Sequence, residues 1–301
     1  MKEPGTPPVI GVIGGSGLYE IDGLSNITWE KVESSFGDTS DEFLFGELDG
    51  QKLVFLPRHG RGHRIPPSEI NFRANVDGLK RCGVTDIISL SAVGSLRDEL
   101  YPGSFILVDQ FIDRTFTRKS TFFETGLVAH VSMAAPVCSR IGRNILSAAA
   151  TVKDLHIKNG GTYLVMEGPQ FSTLAESQLY REWGCDVIGM TNMPEAKLAR
   201  EAEICYATVA MVTDYDCWHN QHENVSVDAV VDVMDRNSAK ARSLVQALAF
   251  VISQGRNLCE NGCDRALENS VISHLGSISK EASGKLDAVA GRIMSRDSGA
   301  D

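Results

Sequence analysis

The chain has 301 residues, 43% of them apolar and 23% charged, with 28 glycines against 10 prolines, a composition that excludes a disordered, collagen-like or membrane-spanning class. Its formal charge of −10 gives no support to nucleic-acid or anionic-membrane binding, which draws on a basic surface. The seven cysteines are odd in number and scattered, and only Cys259 and Cys263 are close in sequence, so neither a disulfide framework nor a zinc site is expected. The opening MKEPGTPP lacks the apolar run of a signal peptide, and the expectation is a soluble, cytoplasmic protein.

In chain order, a lead over 1–8 gives way to VIGVIGG (9–15), a strand entering a glycine turn. KLVFLPRHG (52–60) is a second strand with a charged loop behind it. Residues 69–82 carry helical spacing through Ile70, Phe72, Val76 and Leu79, with Gly83 as C-cap. Strands are predicted over 85–96, 104–114, 162–171, 185–190 and 205–216, and helices over 136–151, 173–183, 195–204 and 226–253. This alternation predicts an α/β fold with a central mixed sheet flanked by helices, as one domain over 9–254. Residues 255–301 read as a terminal helix and tail, packed on that domain or extending it.

Polar residues recur where strands end, at Ser16, Arg58 and His59, Ser91, Glu167, Met190 and Thr191, and Asp214 and Asp216. Ligands of open α/β sheets bind beyond the carboxyl ends of strands, so these positions are expected to share one pocket. GGSG (14–17) has neither the G-x-G-x-x-G nor the G-x-x-x-x-G-K-[ST] spacing; it reads as a cradle for a small anion, or as a tight turn needed for geometry alone. RHGRGHR (58–64) offers forked donors suited to phosphate, or is a solvated basic loop. Its two histidines have no third partner in view, and no metal is expected. Asp214 and Asp216 close an apolar strand. They either serve a ligand from one face, as i and i+2 do while a strand continues, or act as turn residues.

The ordered set GGSGLY, RHGRGH, SAVGSL, MEGPQFST, MTNMPEAKLARE and MVTDYDCW resembles the purine nucleoside phosphorylase family over about residues 9–250, and within it the branch acting on 5′-methylthioadenosine. The resemblance implies cleavage of a glycosidic bond by inorganic phosphate as co-substrate, with no cofactor. It implies phosphate contacts at Ser16, Arg58, His59, Ser91 and Thr191; Ser91 stands where close relatives carry threonine. Phe171 is implied to stack on the base, Met190 to line the ribose, and Asp214 and Asp216 to serve the purine, Asp214 as general acid. Val227 and Val230 would wall the 5′ substituent, and His130 would be lent across a subunit boundary of a homotrimer. Glu167 is expected to brace loops. A 5′-methylthioinosine or broader purine nucleoside phosphorylase, a hydrolase on the same scaffold and a nucleoside-binding protein without turnover are the competing readings; the glycine spacing argues against a dinucleotide-dependent dehydrogenase.

Overall fold

The structure, a computed structural model, describes residues 8–15, 17–219 and 227–295. Its strands are β1 (Ile10–Gly14), β2 (Ser25–Glu30), β3 (Phe43–Leu48), β4 (Gln51–Pro57), β5 (Asp86–Ser95), β6 (Phe105–Leu107), β7 (Gln110–Asp113), β8 (Ile157–Asn159), β9 (Thr162–Val165), β10 (Val187–Gly189) and β11 (Cys205–Asp214). The helices are α1 (Phe72–Arg81), α2 (Ser139–Ala149), α3 (Leu174–Glu182), α4 (Asn192–Glu201), α5 (Val227–Ser253), α6 (Lys280–Lys285) and α7 (Asp287–Met294).

All eleven strands join one mixed sheet. One path runs β2-β3-β4-β1-β5-β10-β9-β7, and β11 lies along the other side of β5, continuing through β6 to β8. The central pairs β4–β1, β1–β5 and β5–β11 are parallel. Successive residues of these strands enter opposite layers, as a period of two requires. Val9, Ile13, Val54, Leu56 and Ile87 pack on one face, while Ile10, Val12, Leu53, Phe55 and Ile88 pack on the other. A sheet buried on both faces explains the near-continuous apolar runs in the sequence.

Local chemistry sets the ends of the elements. Asn71 caps α1 by accepting the Ala74 N–H at 3.1 Å, and Gly83 follows at φ +77°, as expected of a glycine closing a helix. Thr173 and Glu176 form a reciprocal capping box at the start of α3. The 104–114 strand is instead two. β6 pairs with β11 and β8, whereas β7 pairs with β9, and the chain changes neighbours where Val108 N–H donates to Thr208 O (3.2 Å) and Asp109 N–H to Gly161 O (3.2 Å). The helix predicted over 226–253 is continuous over Val227–Ser253, 27 residues; position 226 lies outside the described residues. In the C-terminal segment, Val289, Ala290 and Ile293 of α7 enter the same core as Val76 and Leu79 of α1. No helix among the described residues is long and apolar enough to cross a membrane.

Glu201, at the end of α4, is buried and accepts Phe122 N–H and Thr121 Oγ1, each at 2.8 Å. Burial nevertheless pushes its pKa up to about 7, above the roughly 4.3 of an unfolded glutamate. The folded state therefore holds this proton more tightly. The resulting stability is complete below the unfolded value and is lost as pH rises towards 7. A Glu201→Gln variant is expected to be the more stable protein at pH 8 by roughly 2 kcal/mol, with the gap narrowing at pH 5. Thermal unfolding at the two pH values checks this.

Candidate active site

The carboxyl ends of β4 and β11 flank the middle of β5, towards which β10 runs antiparallel, and each of these strands brings in residues singled out in the sequence; Ser91, expected at a strand end, is inside β5. Arg58 follows β4 and is 3% exposed. Its Nε donates to Glu195 Oε2 (2.8 Å), and Nη2 donates to Glu195 Oε1 (3.1 Å) and Ser89 Oγ (2.6 Å), while Nη1 reaches Leu90 O (3.3 Å). Glu195, 2% exposed, also accepts from Tyr206 Oη at 2.8 Å. Asn192 extends the network, donating to Ser89 Oγ (2.9 Å) and Tyr206 Oη (2.6 Å). The charge of Arg58 is thus matched inside the protein, and an anion here would meet a neutral pair with an Nη1 N–H to spare rather than a free cation. The sequence gave no role to Glu195, Asn192 or Tyr206; a charged residue within the apolar spacing of α4 was the available signal.

The rest of RHGRGHR divides. Arg61 is a solvated residue held by Asp41 and Glu42, and Arg64 is exposed, so the basic-loop reading describes these two. His59 turns inward. Its Nδ1 lies 2.8 Å from Ile65 O, its ring stacks on His63 at 4.2 Å, and burial lowers its pKa to about 4. It is neutral near pH 7, and because a carbonyl can only accept, Nδ1 carries the proton and Nε2 is an acceptor.

Ser91 of β5 and Thr191, which precedes α4, are buried and their hydroxyls meet at 3.3 Å. Tyr163 Oη joins them 3.1 Å from Ser91 Oγ. Thr191 makes no side-chain cap to α4. Ser16 lies outside the described residues.

Met190 precedes Thr191 and packs on Gly168, where an added Cβ would collide with its Sδ, so the backbone approach requires glycine (φ +67°). Arg118, not singled out in the sequence, fastens this corner. Its Nη1 donates to Met190 O (2.5 Å) and Met193 O (2.7 Å), and Nη2 to Glu167 O (2.6 Å). Glu167 binds Ser68 Oγ, Phe116 N–H (2.6 Å) and Thr117 Oγ1 (2.7 Å). Burial raises its pKa, but these hydrogen bonds outweigh that and bring it to about 2. Glu167 is a loop brace.

Asp214 ends β11 opposite Gly94 of β5, and a Cβ at Gly94 would stand 2.9 Å from Asp214 Oδ1. Along β5, Gly94 is three residues beyond Ser91, a rise of about 10 Å. The strand does not continue to 216. Asp216 adopts φ +53°, and its N–H donates to Asp214 Oδ1 at 2.8 Å, an Asx turn. The two carboxylates are neighbours through this turn and not through strand alternation. Thr213 Oγ1 donates to Asp214 Oδ2 (2.7 Å), whereas Asp216 Oδ2 is buried without a hydrogen bond of regular geometry among the described residues, the Ser177 and Ser172 side chains lying near enough only to lower its pKa. Burial raises the pKa of both. Two buried acids of raised pKa can share a proton with a ligand and accept another from it.

The remaining predicted residues are not gathered here. Phe171 is 51% exposed, although the next residue, Ser172, accepts from Cys217 Sγ (3.4 Å) beside Asp216. His130 is exposed and anchored by its own N–H to Ser270 O (2.8 Å). Val227 and Val230 lie at the start of α5, and their side chains fall outside the described residues. A separate cavity of about 360 Å³, lined in part by His156, Arg236 and Lys240, contains none of the site residues. The expectation of scattered cysteines is corrected: Cys138, Cys205, Cys259 and Cys263 are buried together, with all four Sγ atoms within 4.8 Å of one another. Linear spacing could not show this, because three distant parts of the chain supply them.

Residues 9–249 match the phosphorylase superfamily. An S-methyl-5′-thioadenosine phosphorylase of Rhodospirillum rubrum is 58% identical over 98% of this chain and 100% of its own length, and that of Cereibacter sphaeroides is 57% identical over 95% and 98%. The crystal structure of a methylthioadenosine phosphorylase from an Antarctic soil metagenomic library superimposes with a TM-score of 0.89 at 44% identity, covering 94% of this chain and 99% of that one. A methylthioadenosine phosphorylase of Schistosoma mansoni in complex with adenine gives 0.81 at 33% identity, over 88% and 99%. A family match across most of the chain, together with near full-length relatives of this similarity, means that the protein belongs to the phosphorylase superfamily and, within it, to the methylthioadenosine/purine nucleoside phosphorylase family.

Proposed function

We propose that the protein cleaves the N-glycosidic bond of 5′-methylthioadenosine with inorganic phosphate, giving adenine and 5-methylthioribose 1-phosphate. The observation that carries this reading is the buried pair at the end of β11, Asp214 with its raised pKa and Asp216 with an Oδ2 that makes no hydrogen bond of regular geometry among the described residues. A phosphate oxygen attacks the anomeric carbon, the bond to the purine breaks, and its electron pair passes to the base. Protonated Asp214 donates to ring nitrogen 7 as that charge develops. Asp216 Oδ2 accepts a hydrogen from the exocyclic amine, the partner that makes its burial tolerable.

Phosphate is assigned to Ser16, Arg58, His59, Ser91 and Thr191. The tautomer of His59 suits a monohydrogen phosphate that donates its O–H to Nε2. Met190 lines the ribose and Phe171 covers the base. Val227 and Val230 wall the methylthio group, aided by His130 from a neighbouring copy in a homotrimer. An interface near His130 is supported by exposed Val128 (47%) and Ile272 (69%), which flank it through the Ile272 N–H to Val128 O bond (2.9 Å). Residues 9–254 are the phosphorylase domain and 255–295 pack against it in a cytoplasmic enzyme.

Incubating the purified protein with 5′-methylthioadenosine, with and without inorganic phosphate, and quantifying adenine tests this. Release that requires phosphate is expected. Release indifferent to phosphate would indicate a hydrolase, and no release would remove the reading.

A further inference from the structure

Cys138 immediately precedes α2, Cys205 begins β11, and Cys259 and Cys263 lie in the segment after α5. They meet at the start of β11, whereas the carboxylates stand at its end, nine residues and about 30 Å away. The cluster is separate from the phosphorylase site. All four are at most 1% exposed, none is in a disulfide, and Cys138 Sγ lies 3.6 Å from Cys259 Sγ.

The arrangement fits a tetrahedral metal. With zinc–sulfur bonds of about 2.3 Å, the sulfurs of a tetrathiolate stand about 3.8 Å apart, and here every pair is within 4.8 Å. The C-x₃-C spacing of Cys259 and Cys263 falls within that of zinc ligand pairs. Between them Gly262, at φ +64°, donates its N–H to Cys259 O (2.9 Å), a tight turn that brings both sulfurs to one side. Cys138 is set by its own N–H to Tyr206 O (2.8 Å), beside Cys205. Arg140 is ion-paired through Nη2 with buried Asp86 and also interacts with the Cys205 sulfur, while its buried Nε makes no hydrogen bond of regular geometry among the described residues. An N–H donor of this kind suits the sulfurs of an anionic metal–thiolate centre.

We propose that Cys138, Cys205, Cys259 and Cys263 bind one zinc ion as a structural site. Binding displaces four thiol protons, leaving a tetrathiolate of net charge −2. Four protein ligands leave no open position, so the metal fastens rather than reacts. It ties the segment after α5 to the start of β11 and to α2. That segment in turn holds the His130 loop through Ser270 O and the Ala129–Val271 bridge.

The test uses the full chain produced with zinc and desalted. Elemental analysis is expected to give about one zinc per chain, falling below about a tenth in Cys263→Ser and staying unchanged in Cys82→Ser. Replacing zinc with cobalt(II) in the wild-type chain is expected to produce the intense visible bands and near-ultraviolet thiolate-to-cobalt charge transfer of a tetrahedral four-sulfur centre, a readout that needs no variant to fold. Wild-type protein that takes up neither zinc nor cobalt would overturn the proposal. Alkylation under denaturing conditions would then distinguish its replacements: seven modified cysteines mean packed thiols, and three mean two disulfides.

Discussion

Asp214→Asn is expected to lower kcat/KM for 5′-methylthioadenosine by roughly 10²- to 10⁴-fold, the range typical of a lost general acid. The fold should survive. An asparagine Oδ1 can still accept the Asp216 N–H, the bond that holds the turn at 2.8 Å. Burial raises the pKa of Asp214, so its ionised form costs stability at neutral pH. The variant is therefore expected to melt no lower than the parent at pH 7 or above. In the parent, kcat/KM is expected to fall as pH rises through the raised Asp214 pKa, because the protonated form is the acid. That limb should be missing from the variant, and its relative preference for 6-oxopurine nucleosides should rise. A variant within about threefold of the parent would remove Asp214 from the chemistry, since general-acid help is worth far more.

The second large effect concerns stability. Arg58→Met would leave Glu195 charged, 2% exposed and without its cation. Breaking one side of a buried pair typically costs about 3–5 kcal/mol, more than either partner's hydrogen bonds are worth separately. Adding Glu195→Gln removes the stranded charge and keeps an acceptor for Tyr206 Oη, so the double variant is expected to recover most of that loss. Chemical denaturation of the parent, both single variants and the double variant measures the coupling. Both Arg58→Met proteins should also bind phosphate more weakly. Additive stability losses would mean that the pair does not act as a unit.

The sheet was legible in the sequence where burial on both faces leaves continuous apolar runs, as in β1, β4, β5 and β11. It was not legible in β2, whose residues are almost all exposed, nor at the break between β6 and β7, where neighbouring strands rather than local sequence decide the pairing. Strand ends guided the reading in part: Thr191 does follow β10 and Asp214 does close β11, but Ser91, read as a strand-end residue, lies inside β5, which runs on to Ser95. What failed was the orientation of charge. Arg58 looks like an open anion clamp in RHGRGHR, yet its guanidinium is turned onto Glu195, 137 positions away. Arg118 and the four clustered cysteines escaped for the same reason, because their partners are distant in the chain. The Asp pair joined two readings that the sequence kept apart, since the Asx turn itself sets the second carboxylate beside the first.

The most direct measurement is the ratio of kcat/KM for 5′-methylthioadenosine to that for 5′-methylthioinosine at saturating phosphate. Asp216 Oδ2 is a buried acceptor without a hydrogen bond of regular geometry among the described residues, and a 6-amine can donate to it whereas a 6-oxo group cannot. A site built for such a bond rejects the substrate lacking it, so a ratio of about 10³ or more in favour of the amine is expected. Equal values, or a preference for the 6-oxo substrate, would contradict the assignment of the Asp214–Asp216 turn to adenine.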